Sequence, residues 1–188
     1  MRYLTIILIF AAMAFAGSKK PAANTTGDNP TAEAASPDVE PSFRLRLYNT
    51  HTDESLDIVY RRGEEYLPDA MEELNYFLRD SRTGAVAHYD PRLFDLLNEL
   101  TASLGHPNGE IDVVCGYRTP ETNRMLRRRS RRVAKHSLHM QAMAIDIRVP
   151  GVTTKELRNA ALDLHLGGVG YYRKKAFVHV DVGPVRKW

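Results

Sequence analysis

The sequence predicts an α+β domain, a small and largely antiparallel sheet with flanking helices. Three observations carry this expectation. The apolar part of the chain opens with two runs of strict alternation, continues with segments whose apolar residues recur every three or four positions, and closes with two short alternating runs. Strands and helices are mixed without the regular alternation that builds a parallel sheet.

Each element has a local reason. Phe43, Leu45 and Leu47 alternate with Arg44, Arg46 and Tyr48, and Leu56, Ile58 and Tyr60 alternate after a turn at Thr52-Asp53, so the pair reads as a hairpin. Residues 68–80 and 91–104 follow as helices, each opening on a proline, with Asp90 as the N-cap of the second. Residues 110–117 read as a strand, 120–131 as a helix capped by Thr119, and 142–149 as a strand. Thr153 or Thr154 caps a further helix that ends near His165, and residues 168–172 and 177–182 make the closing strands.

In a chain of 188 residues, 43% hydrophobic and 26% charged residues describe a globular protein and exclude a collagenous, fully disordered or multi-span membrane chain. A net charge of +3 is too weak by itself to imply nucleic acid. Residues 1–16 read as a secretory signal: Arg2, then an uncharged run closing on Ala14-Phe15-Ala16. That run is shorter than the ~20 residues a bilayer span takes, so retention as an anchor is the lesser alternative and a soluble, periplasmic domain is expected. Residues 17–42 nearly lack large apolar side chains and read as a disordered linker, in which Asn24-Thr25-Thr26 forms a glycosylation pattern short enough to arise by chance. The folded domain is expected at 43–188.

The strand at 142–149 points Met143, Ile145, Ile147 and Val149 to the core and Ala142, Ala144 and Asp146 to the other face, leaving room over a carboxylate. His139 precedes it. In the last strand Val178, Val180 and Val182 face one way, and Phe177, His179 and Asp181 the other. Three ligands of N and O type with one open position are the donor set of catalytic zinc, and a lone Cys115 rules out a thiolate cluster. His139, Asp146 and His179 fit that count, with Asp181 as the base that takes a proton from the attacking water. The spacing alone leaves open a blander reading, in which the histidines are merely hydrogen-bonded and the aspartates cap turns.

A resemblance narrows the choice. Residues 137–146 (SLHMQAMAID) are similar to the H-x-x-G-x-A-x-D zinc motif of the LAS peptidases, the group that includes lysostaphin, D-alanyl-D-alanine peptidases and the hedgehog signalling domain. Residues 177–181 (FVHVD) resemble its second half, and 115–120 (CGYRTP) resemble its S-G-Y-R-S-P segment. With residues 48–54 and 167–172, the chain is similar to the YcbK-like, or MepK-like, branch of murein endopeptidases from about Phe43 to Trp188. This likeness implies a LAS/hedgehog-type fold, one zinc ion on His139, Asp146 and His179, and Arg118 in the cleft holding a substrate carboxylate or carbonyl. A planar guanidinium suits that task, because it binds a carboxylate through two parallel hydrogen bonds. His136 is the candidate to hydrogen-bond a developing oxyanion, and its position beside Lys135 fits a solvated loop as well.

Two departures stand out. The motif's glycine is Ala142 here, and a glutamate that several LAS enzymes carry three residues before the last ligand is replaced by Ala176. Cys115 stands where the motif has serine and reads as a small buried side chain. The basic run from Arg124 to Lys135 contains no aromatic residue on which a base could stack, so a solvated face or attraction to an anionic wall polymer explains it better than nucleic acid. The expected activity is hydrolysis of peptide cross-links in peptidoglycan, of the 3-3 type between two diaminopimelates. The alternatives are a D,D-endopeptidase or carboxypeptidase, and a non-catalytic zinc-containing domain that binds the wall.

Overall fold

The computed structural model describes residues 40–188. The expected signal, the glycosylation pattern and all but the last three residues of the expected linker lie outside the described residues. Among the described residues no helix is long and apolar enough to cross a membrane.

The hairpin forms as β1 (Ser42–Asn49) and β2 (Glu54–Arg62), with Leu45 opposite Ile58 and Leu47 opposite Leu56. Its turn places Asp53 in the left-handed region at φ 55°, which aspartate tolerates, and the Tyr48 hydroxyl donates to the Asp53 carboxylate at 2.7 Å. A short β3 (Glu65–Tyr66) follows on the outer side of β2. Helix α1 (Pro68–Phe77) stops three residues before the expected end. The chain turns there so that the buried Asp80 carboxylate can accept from the backbone N–H of Thr119 at 2.8 Å and of Arg82 at 2.9 Å.

Helix α2 (Arg92–Ser103) begins after Pro91, and the Asp90 side chain accepts from the Arg92 N–H at 3.1 Å. Strand β4 (Glu110–Cys115) leads to α3 (Pro120–Arg129), where the Thr119 hydroxyl accepts from the Thr122 N–H at 3.1 Å as the sequence predicts. Strand β5 (Ala144–Arg148) is shorter than expected. Residues Leu138–Gln141 form a 3-10 turn closed by Ala142 at φ 51°, so the strand cannot start before Ala144. Helix α4 (Thr154–Leu164) carries a full capping box between Thr153 and Glu156. Strand β6 (Gly168–Tyr172), a 3-10 turn at Arg173–Lys175, β7 (Phe177–Asp181) and β8 (Arg186–Lys187) complete the chain.

All eight strands join one sheet in the order β3-β2-β1-β4-β5-β7-β6-β8, so the sheet is larger than the sequence suggests. It is parallel at β1–β4 and β6–β8 and antiparallel at every other pairing. The parallel β1–β4 contact fuses the hairpin to the second half of the chain. Ile145, Ile147, Val178 and Val180 are fully buried and share one core with Leu45, Leu47, Phe94, Leu97, Ile111 and Leu157 from β1, α2, β4 and α4. Each such side chain contributes about 1.5–3 kcal/mol by leaving water. The alternate residues of β5 and β7 point to the opposite face, and the polar side chains gather there.

Candidate metal centre

Strand register delivers the first two groups. In the β5–β7 ladder Asp146 is directly opposite His179, and Ala144 is opposite Asp181. The 3-10 turn brings His139 over the same point. The three atoms that meet are His139 Nε2, Asp146 Oδ1 and His179 Nδ1, with separations of 3.2, 3.1 and 2.9 Å. His139 is fully buried, and Asp146 and His179 keep only a narrow opening to solvent.

The far side of each ring decides which atoms carry hydrogen. His139 Nδ1 lies 2.8 Å from the Gly116 carbonyl, which can only accept, so the proton is on Nδ1 and Nε2 presents a lone pair. Gly116 itself has no room for a side chain: a Cβ there would stand 2.6 Å from the Leu78 carbonyl oxygen. His179 Nε2 donates to Asp181 Oδ2 at 3.0 Å, which directs the Nδ1 lone pair inward. Two imidazole lone pairs and a carboxylate oxygen therefore face one another. Such a triangle of acceptors needs a cation or an added proton at its centre.

The electrostatics agree. Burial works against charge on Asp146, yet His139 and His179 beside it hold its carboxyl far below the usual carboxylate range. Burial pushes His139 down. His179 is also buried, but its bonds to Asp146 and Asp181 prevail and raise it. The donor set and the spacing fit zinc: ligand atoms ~2.0–2.1 Å from a tetrahedral ion are ~3.3–3.4 Å apart, close to the edges found. Cys115, opposite Asp146 in the β4–β5 ladder, brings its sulfur within 4.8 Å of the His139 and Asp146 ligand atoms. His179 Nδ1 lies 3.1 and 2.9 Å from the same two atoms, and burial pushes the Cys115 thiol up to about 12, so it stays protonated.

Asp181 is not where the sequence expectation needs it. It is fully buried, with Oδ2 against His179 Nε2, the ring nitrogen on the far side from the three converging atoms. Its Oδ2 accepts from His179 and from Arg186 Nη2 at 2.7 Å, and its Oδ1 from Gly183 N–H at 2.9 Å, Gly168 N–H at 3.2 Å and Arg186 Nη1 at 2.9 Å. Burial pushes this carboxyl up, but the bonds from His179, Arg186 and Gly183 outweigh it and hold it at about 2. Gly168 on β6 makes the packing possible, since a Cβ there would stand 2.5 Å from Asp181 Oδ2. Sequence reasoning missed Arg186 and Trp188, whose indole lies 5.2 Å from the His179 ring. Arg186 arrives on β8 and Trp188 directly after it, and the two residues of that strand show no strand pattern.

The narrow opening leads into a cleft of about 780 Å³ lined by Arg118, His136, Ser137 and Asp146, among others. Arg118 is anchored by its N–H on the His139 carbonyl at 3.2 Å, and its Nη1 and Nη2 reach Asn123 Oδ1 and Ser137 Oγ, each at 3.4 Å. Its buried Nε has no partner, and among the described residues no carboxylate lies within 4.0 Å of its guanidinium. His136 is exposed on the cleft wall. Ala176 is exposed at the end of the 3-10 turn Arg173–Lys175, so Asp146 is the one carboxylate lining the cleft among the described residues.

An open mixed sheet with two histidines and an aspartate converging on the floor of a cationic cleft is the arrangement of an M15-type peptidase. The chain belongs to the peptidoglycan L,D-endopeptidase MepK family (Peptidase_M15_2), whose family model matches residues 38–188. It is 43% identical over 144 residues to the "Probable peptidoglycan L,D-endopeptidase MepK" of Haemophilus influenzae, covering 77% of each chain. It is 42% identical over 144 residues to the peptidoglycan L,D-endopeptidases MepK of Escherichia coli (strain K12) and Shigella flexneri, covering 77% of this chain and 79% of theirs.

Proposed function

We propose that this chain is a zinc-dependent murein endopeptidase that hydrolyses the 3-3 cross-links between diaminopimelate residues of peptidoglycan, in wall growth or remodelling. The observation that carries the reading is the triangle of three acceptor atoms on the cleft floor, in a chain of this family. His139, Asp146 and His179 hold the ion. Zinc bound there supplies a Lewis acid that polarises a peptide carbonyl and acidifies the attacking water.

The remaining work falls to the chain's own side chains. The Gly116 carbonyl and the Asp181 carboxylate fix the two imidazoles in the tautomers that point lone pairs inward. Arg118, unneutralised and anchored on both sides, takes a substrate carboxylate through paired hydrogen bonds. Asp181 serves the site as an orienting group and not as the base. Proton exchange falls to His136, an exposed imidazole on the wall of a cleft whose one carboxylate, Asp146, is already a ligand. The segment 1–16 acts as the export signal that delivers the domain to the periplasm, where its substrate is.

Digestion of purified sacculi by the zinc-loaded protein, followed by chromatography of the muropeptides, tests the reading. The expected result is loss of 3-3 dimers, abolished by chelator and by His179→Ala. Cleavage confined to 4-3 dimers would make the protein a D,D-endopeptidase. Binding to sacculi without any cleavage would leave a wall-binding domain.

A further inference from the structure

The cleft holds more positive charge than one carboxylate requires. Besides Arg118, its lining includes Arg82, Arg132 and Arg148, and the consecutive Arg173, Lys174 and Lys175. Among the described residues none of these seven has a carboxylate within 4.0 Å. Unpaired cations crowded in one concavity repel each other, and a ligand with several negative groups relieves that repulsion.

Their placement is ordered. In the β4–β5 ladder Cys115 is opposite Asp146 and Asp112 is opposite Arg148, so β4 runs from the Arg148 level toward the Asp146 level. Arg118 follows three residues after Cys115, past the Asp146 level of the ladder, and its backbone N–H donates to the His139 carbonyl at 3.2 Å. Arg148 is two residues from Asp146 on the same face of β5, about 6.6–6.8 Å away along the strand in the opposite direction. The Arg148 guanidinium donates to the carbonyls of Ala176 at 2.7 Å and Lys175 at 3.2 Å, which fastens the 3-10 turn Arg173–Lys175 at that end. One cationic group thus stands on each side of the Asp146–His179 pair.

We infer that the cleft reads two carboxylates, one on each side of the scissile bond: Arg118 binds the first, and the rim formed by Arg173, Lys174 and Lys175 binds the second. This deepens the proposed function and rests on it for the identity of the bond. The ligand class is a cross-linked peptide with a free carboxylate on both strands next to the cut. Loss of charge on either strand, as in an amidated stem peptide, weakens recognition at one end only.

The test pairs protein charge with substrate charge. Equilibrium binding of a 3-3 cross-linked muropeptide dimer to the metal-stripped full chain is measured for the free acid and for two singly amidated dimers. The variant Arg173→Gln/Lys174→Gln/Lys175→Gln is expected to bind the free acid about tenfold more weakly than the unaltered chain. It is expected to be indifferent to amidation of one strand, and Arg118→Gln to amidation of the other, because a charge pair cannot be lost twice. Equal weakening on all three dimers would reduce the rim to a general attraction and overturn the inference, as would binding unchanged by the rim substitutions. Cleavage of the free-acid dimer by the zinc-loaded chain is scored separately, so failure of the proposed reaction and failure of the two-carboxylate reading are distinguishable.

Discussion

Replacing Asp181 by asparagine separates a group that orients a ligand from a group that takes a proton. Asp181 Oδ1 receives Gly168 N–H, Gly183 N–H and Arg186 Nη1, while Oδ2 receives His179 Nε2–H and Arg186 Nη2. An asparagine keeps its oxygen on the three-donor side, which turns its NH2 toward His179. Donor then meets donor, and the imidazole escapes by moving its proton to Nδ1, the atom that faces Asp146 and His139. Loss of such an orienting partner lowers metal affinity about 10–100-fold, or ~1.4–2.7 kcal/mol. Competition between the full-length Asp181→Asn protein and a chromophoric chelator measures this, with thermal melting to show that the fold persists. Activity is expected to recover substantially at high zinc. Zinc affinity within twofold of the unaltered protein, combined with a large loss of turnover at saturating metal, would refute the argument and restore Asp181 as the base.

Two further outcomes follow from the same residues. The Asp181 carboxyl is about 2 in the folded protein against an ordinary 3.8, so its stabilisation is fully present above about pH 4 and is lost as pH falls toward 2. Roughly 2 kcal/mol of metal-free stability is expected to disappear across that window in urea titrations, and an Asp181→Asn protein with the same acid sensitivity would contradict it. Ala142→Gly is expected to change stability by less than about 1 kcal/mol: relief of left-handed strain, ~1–2 kcal/mol, is offset by backbone entropy, ~0.5–1 kcal/mol, and a lost buried methyl, ~0.8 kcal/mol. A larger shift in either direction in chemical denaturation would mean that the turn geometry is wrong.

Much of the site is legible in the sequence because strand periodicity is. The alternation of β5 and β7 puts Asp146 and His179 on one face, and direct register then brings them opposite each other. The same periodicity misleads at Asp181. It shows that Asp181 shares the face of His179, but not that a two-residue offset brings the carboxylate against the far nitrogen of the ring instead of the open cleft. The left-handed Ala142 shortens β5; an alanine does not itself signal that conformation, and the one hint is that the resembling motif has glycine there. The parallel β1–β4 pairing joins residues far apart in the chain and leaves no local trace, and the two-residue strands β3 and β8, too short to show alternation, make the sheet wider than expected. Strand β8 is invisible for a similar reason: its pairing with β6, not its composition, brings Arg186 to Asp181.

The three converging acceptor atoms come from a 3-10 turn, β5 and β7, and the groups that aim them come from the stretch after β4 and the segment around β8. A chain in which any one of these pieces has slipped by a residue has no place for an ion. Correct placement of all these pieces is therefore a precondition for the site to form. For a peptidoglycan hydrolase, that dependence denies partially folded copies a complete site.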